Sequence, residues 1–162
     1  MIIEKAKIEC LDEIFHIYKN AVDLLNEKNI HQWDEVYPSK DNIEQDILKG
    51  QMYIGIENGK IMSAAVINKD FDEQYSNGNW LYDNFVVIHR VCVNPLHQNQ
   101  KIGQRTMNLI EDLLKNMGVE SIRLDAFSEN PHSLHMYEKI GYKKTGETNW
   151  RKGLFYLYEK KI

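Results

Sequence analysis

The chain has 162 residues, of which 43% are hydrophobic and 27% charged, with a formal net charge of −4. This length and apolar content support one folded domain over 1–162 and exclude a disordered chain, and the acidic balance argues against nucleic acid as the main partner. No apolar run reaches the roughly 18 residues of a membrane span, and Met1-Ile2-Ile3-Glu4-Lys5 lacks the basic-then-apolar layout of a signal peptide. Cys10 and Cys92 form neither a disulfide framework nor a metal pattern. The expectation is a cytoplasmic protein that uses no membrane.

Residues 2–9 alternate loosely and predict an edge strand. Leu11, Ile14, Phe15, Tyr18, Ala21, Val22 and Leu25 then fall on one helical stripe, with Asp12 and Glu13 in the first turn, where negative charge suits the helix dipole. A loop with Trp33, Val36 and Tyr37 ends at Pro38. Ser39 is the N-cap of a second helix, and Gly50 lies just past its end. Apolar runs at 52–56 and 61–67 flank Asn58-Gly59, the strongest short-range hairpin signal. Polar residues 69–79 predict a loop, and a long strand then runs from Leu81 or Phe85 to Val93.

From Met107 the spacing turns helical, with Met107, Ile110, Leu114 and Met117 on one stripe, and Gly118 marks a stop. Residues 121–127 predict a strand with Ile122, Leu124 and Ala126 on one face and Arg123, Asp125 and Phe127 on the other. Asn130 caps a helix that opens on Pro131 and ends at Gly141. Two closing strands follow at 142–147 and 154–159. The Tyr-rich last strand (Phe155, Tyr156, Tyr158) is a candidate homodimer surface, with core packing as the alternative.

One stretch carries chemistry. Val91-Cys92-Val93 stop at Asn94-Pro95, because proline cannot donate to a sheet ladder. A polar loop then delivers the chain to a helix start near Gly103. The first N–H groups of a helix lack intrahelical acceptors and favour an anion, usually a phosphate. A plain strand-to-helix connection is the alternative reading of these residues taken alone.

With strand, two helices, hairpin, long strand, glycine loop into helix, strand, helix and two strands in order, the chain resembles the GCN5-related N-acetyltransferase (GNAT) family over almost its whole length. Three patterns carry the likeness. Val91 to Arg105 looks like the family's acetyl-CoA motif, Gln/Arg-x-x-Gly-x-Gly/Ala. Asn130 is followed seven residues later by Tyr137. Tyr137-Glu138-Lys139-Ile140-Gly141-Tyr142 is similar to the family's closing YxxxGF. Aligned on Gln98, the first motif glycine is Lys101, and Gly103 is retained. Lysine keeps the backbone N–H and adds a cation.

The resemblance implies an α+β fold: a mostly antiparallel twisted sheet of about seven strands, splayed between its two central strands and flanked by about four helices. It implies acetyl-CoA as co-substrate, with the pyrophosphate held by Gln98, Asn99, Gln100, Lys101, Ile102, Gly103, Gln104 and Arg105. The pantetheine arm would lie along Val91, Cys92 and Val93, where the family has a bulge that frees an N–H for the thioester carbonyl. Tyr137 corresponds to the tyrosine beside the sulfur, which protonates or stabilises the departing thiolate. Asn130 has two jobs open to it, helix cap and cofactor contact.

The acceptor would be a small-molecule or peptide amine. Trp33, Tyr37 and Trp80 are candidate pocket residues, with Asp83 and Trp150 near them by family topology. Asp125, His89 and Asp83 are candidates for the base that takes the amine's proton, and a structural or solvated role is the alternative for each. His132 and His135 lie three apart on a helix without a third ligand in reach, so no metal is expected. The function reading is acetyl transfer to a primary amine by direct attack, with a non-catalytic acyl-CoA-binding sensor or assembly module as the alternative.

Overall fold

The computed structural model describes residues 1–97 and 100–162. Its elements are β1 (Ile2–Lys5), α1 (Leu11–Glu27), α2 (Lys40–Leu48), β2 (Met52–Glu57), β3 (Lys60–Asn68), β4 (Phe85–Val93), α3 (Ile102–Asn116), β5 (Ser121–Phe127), α4 (Pro131–Lys139), β6 (Lys143–Trp150) and β7 (Gly153–Lys161). The seven strands form one sheet in the order β1-β2-β3-β4-β5-β7-β6. The pairs β1–β2, β2–β3, β5–β7 and β6–β7 are antiparallel. β4 and β5 run parallel, in register from Phe85↔Ser121 to Ile88↔Leu124. The expected α+β sheet with four helices is present.

The chain divides into two compact units, one of residues 1–67 and 90–109, the other of 68–89 and 110–162. In the first, Ile14, Ile17 and Tyr18 of α1 and Ile43 and Ile47 of α2 pack on Met52, Ile54, Ile61, Ala64 and Val66 of the β2–β3 hairpin, with Cys92 in the same cluster. Asn58 (φ 52°) and Gly59 (φ 72°) both take positive φ in the turn, the geometry that two-residue hairpins favour. Ser39 caps α2 in a capping box with Asn42.

In the second unit the segment 69–79, read from its polarity as a plain loop, contributes to the core. A 3₁₀ turn at Glu73–Asn77 buries Tyr75 against Val87 and Leu157, with Trp80, Phe85 and Trp150 packed around them. Gly146 of β6 admits this turn: a Cβ there would stand 2.3 Å from the Asn77 carbonyl oxygen.

Three expectations need correction. The first strand ends at Lys5, because Ala6 makes the last bond to Met52 and residues 8–10 turn into a 3₁₀ helix. Met117 falls beyond α3 and is exposed. The last two strands extend to Trp150 and Lys161, joined by a tight turn. β5 is buried on both faces: Arg123 and Phe127 are covered along with Ile122 and Leu124.

Candidate active site

In the first unit, β4 is broken at Arg90, a non-glycine residue at φ 50° in mid-strand. The Tyr18 hydroxyl donates to the Arg90 carbonyl at 2.6 Å. The Arg90 guanidinium donates to the Tyr37 hydroxyl at 2.6 Å and pairs with the Asp46 carboxylate. The strand ends at Asn94, whose buried side chain donates to the Ile61 carbonyl (2.9 Å) and accepts from the Leu96 N–H (3.1 Å). This Asx turn aims the chain into a short 3₁₀ turn, Pro95–His97.

α3 begins at Ile102, and the Lys101 carbonyl accepts its first helical bond, from Arg105 N at 2.9 Å. Lys101 therefore sits where an N-cap would, at φ 56°. The lysine found in place of the motif glycine has taken a backbone conformation that glycine adopts freely. Gln98 and Asn99, expected at the pyrophosphate, lie outside the described residues. Lys101→Gly is expected to raise stability by about 0.5–1 kcal/mol, the left-handed cost to an L-residue less the added chain entropy of glycine, and to leave CoA affinity unchanged. A loss of affinity by calorimetry would show that the Lys101 cation, not the backbone, carries binding.

The first turn of α3 is anchored from below. The Thr106 hydroxyl donates to Ile102 O (2.8 Å), so its short contact with Ser63 (2.6 Å) has Ser63 as donor. The side chain of Arg105, a residue of the expected cofactor loop, is paired with Glu57, Nη1 lying 3.2 Å from Oε2. Hydrogen bonds from Arg105, and then from the Met1 amino group, hold the Glu57 carboxyl down at about 2. Arg105 therefore ties α3 to the β2–β3 hairpin. Sequence reading missed Ser63 and Thr106; the signal was a hydroxyl pair set among apolar neighbours.

The two aromatic candidates of this unit differ. Trp33 is half-buried, 5.6 Å from the Tyr18 ring and packed on the core. Tyr37 is exposed and lies over the Arg90 guanidinium (5.6 Å). Cys92 is 4% exposed, and burial pushes its thiol up to about 12. At neutral pH it is a protonated core residue.

In the second unit, the Asn130 side chain accepts from Ser133 N at 3.2 Å and caps α4, with Pro131 at the first position. Tyr137 is 5% exposed, packed edge-on against Tyr142 (5.7 Å) and beside Tyr158 (6.3 Å). Burial first, and then the charge of Asp125, push its phenol well above the ordinary tyrosine range. Asp125 is half-buried and accepts from the Tyr75 hydroxyl at 2.7 Å. Trp80 stacks on Tyr75 (5.5 Å) and donates to the Tyr75 carbonyl (2.7 Å). Trp150 donates to Asp72 (2.9 Å). His89 is bonded to Asn68 at 2.9 Å, and Asp83 is exposed ahead of β4. The structure thus gathers Asp125 and Trp80 around Tyr75. Tyr75 was missed because its surrounding residues are polar.

Among the described residues no three His, Cys, Asp or Glu side chains group as a metal site, and no helix is long and apolar enough to cross a membrane. The chemistry on offer is that of backbone donors at a helix start, a protonated phenol and a carboxylate. Of these, the backbone donors at the helix start suit a phosphate.

Residues 18–142 match the acetyltransferase (GNAT) family, and the chain belongs to it. A GNAT-family acetyltransferase from Streptococcus agalactiae 2603 superposes with a TM-score of 0.86 at 25% identity, over 99% of this chain and 94% of that one. The PaiA N-acetyltransferase of Thermoplasma acidophilum, solved in complex with coenzyme A, shares the fold at a TM-score of 0.70 and 19% identity, over 99% and 98% of the two chains. The L-amino acid N-acyltransferase MnaT of Escherichia coli (strain K12) is 29% identical over 75 residues. That match spans 44% of this chain and 44% of MnaT, under half the length of either.

Proposed function

We propose that the protein is a cytoplasmic N-acetyltransferase that moves an acetyl group from acetyl-CoA to a primary amine of a small molecule or peptide by direct attack. The observation that carries this reading is the segment from Arg90 to Arg105 in a member of this family: a strand broken at Arg90, then a helix whose first amides follow a left-handed Lys101. In this reading the amides of Ile102, Gly103 and Gln104 hold the pyrophosphate, with Gln98, Asn99 and Gln100 completing the loop, and β4 residues Val91 to Val93 pair with the pantetheine arm.

Acetyl-CoA supplies an activated acyl group. The amine nitrogen forms a bond to the acyl carbon, the carbon–sulfur bond breaks and its electron pair leaves on sulfur, where the Tyr137 hydroxyl donates. The proton lost by the amine goes to a base, for which Asp125, held by Tyr75, is the first candidate, with His89 and Asp83 behind it. Trp33 and Tyr37 in one unit and Trp80 in the other are the candidate acceptor residues. The reading as a non-catalytic binding module drew its motive from Lys101. That motive weakens when the lysine adopts the backbone geometry of the glycine it replaces.

Direct attack is tested by mass. Intact-protein mass spectrometry after addition of acetyl-CoA without acceptor should show no 42 Da adduct, because the Cys92 thiol is buried and protonated. A stable acetyl group on Cys92 would replace direct attack with an acyl-enzyme route.

A further inference from the structure

We infer that Tyr18, Asp46 and Tyr37 act together on Arg90 as a positioning device that turns the Arg90–Val91 peptide and presents the Val91 N–H to the thioester carbonyl. The inference rests on the acetyl-CoA reading above and adds to it the residues that hold the strand in its broken form.

Arg90 is the one residue of β4 recorded at positive φ, and side chains larger than glycine rarely adopt this region inside a strand. Such a conformation persists only where its surroundings hold it in place. Here three elements do so, all within the first unit. Tyr18 of α1 donates to the Arg90 carbonyl at 2.6 Å. Asp46 of α2 pairs with the guanidinium. Tyr37, in the loop between those helices, takes Nη1 at 2.6 Å and lays its ring against the guanidinium carbon at 5.6 Å. Tyr18 is 1% exposed, and burial raises its phenol, so it stays a donor.

The direction follows from peptide geometry. The unit Arg90 C=O–Val91 N–H is planar and trans, so its carbonyl and N–H point opposite ways. A carbonyl aimed at Tyr18 sends the Val91 N–H away from α1. Negative charge builds on the thioester oxygen as an amine attacks, and a preorganised N–H stabilises it. Tyr18 and Arg90 touch neither substrate nor cofactor in this account; they act through the peptide they hold.

The test is calorimetric titration of the full chain with CoA and, separately, with acetyl-CoA, without acceptor, for the unmodified protein and for Tyr18→Phe, Arg90→Gly and Arg90→Ala. Only acetyl-CoA carries the carbonyl. The unmodified protein should prefer it by about 3- to 10-fold, the range of one net hydrogen bond. Tyr18→Phe and Arg90→Ala should abolish that preference while leaving CoA affinity unchanged. Arg90→Gly, which reaches positive φ without support, should retain more of it than Arg90→Ala, and this pair decides the matter should Tyr18→Phe fail to fold. An undiminished preference in Tyr18→Phe and Arg90→Ala, or equal losses for both ligands, overturns the inference alone. Binding of neither ligand by the unmodified protein overturns the acetyl-CoA reading and the inference with it.

Discussion

Tyr137→Phe is expected to lower kcat by about 10²–10³-fold, the cost of deleting one preorganised donor to developing charge, with acetyl-CoA affinity unchanged. Burial and the nearby Asp125 charge both raise the phenol, so Tyr137 holds its proton at neutral pH. A phenol raised above its ordinary value is a weaker acid than a thiol of about 8.5. Its contribution is then a hydrogen bond to the leaving sulfur, which strengthens as charge develops, and not complete proton transfer. Phenylalanine keeps the ring that packs on Tyr142 and Tyr158, so the fold should be spared. Steady-state kinetics alongside calorimetry checks this. An unchanged kcat, or equal loss of kcat and of affinity, would remove Tyr137 from its assigned role.

Glu159→Ala is expected to destabilise the protein by about 3–5 kcal/mol, the cost of stripping one partner from a buried ion pair. Glu159 and Arg123 are 4% and 7% exposed, with Nε 3.2 Å from Oε1. The second carboxylate oxygen accepts from Leu81 N at 2.8 Å, and the guanidinium donates to the Tyr82 carbonyl at 2.6 Å. The guanidinium also lies flat on Phe85, its carbon 3.5 Å from the ring centre, with Trp80 at 4.5 Å. Alanine would leave a buried cation and an orphaned Leu81 N–H, and would loosen the segment that leads into β4. The double change Arg123→Met with Glu159→Leu removes the charge along with its partner and should cost less than Glu159→Ala alone. Urea unfolding measures both. A loss below about 1 kcal/mol for Glu159→Ala would place the pair with exposed, weakly contributing bridges.

What is legible in the sequence depends on range. The Asn58-Gly59 hairpin, the Ser39 and Asn130 caps, and the stops at Gly50, Gly118 and Gly141 are local chemistry, and each is present in the structure. The family resemblance then supplies the strand count, which no local pattern contains, and the parallel β4–β5 pairing is seen only in the structure. Tyr75 is hidden because its partners, Val87, Leu157 and Asp125, lie far along the chain. The partner of Arg123, Glu159, lies 36 residues away on β7, so the buried pair has no local signal. The pairing of the Arg105 side chain with Glu57 likewise appears only once the hairpin is in place. Arg90 carries no positive-φ signal at all; its conformation is imposed by Tyr18, Tyr37 and Asp46, up to 72 residues away. Lys101 is the reverse case, where a departure from the family motif marks the backbone geometry directly.

Acetyl transfer to an amine is read out by thiol release. The purified chain is incubated with acetyl-CoA and a panel of primary amines (amino acids, polyamines and peptide N-termini), and free CoA thiol is followed with a chromogenic disulfide. The account predicts CoA release that depends on both enzyme and amine, with one equivalent of N-acetylated product per thiol. Saturable acetyl-CoA binding without release on any amine in the panel would contradict it and return the chain to the role of a binding module.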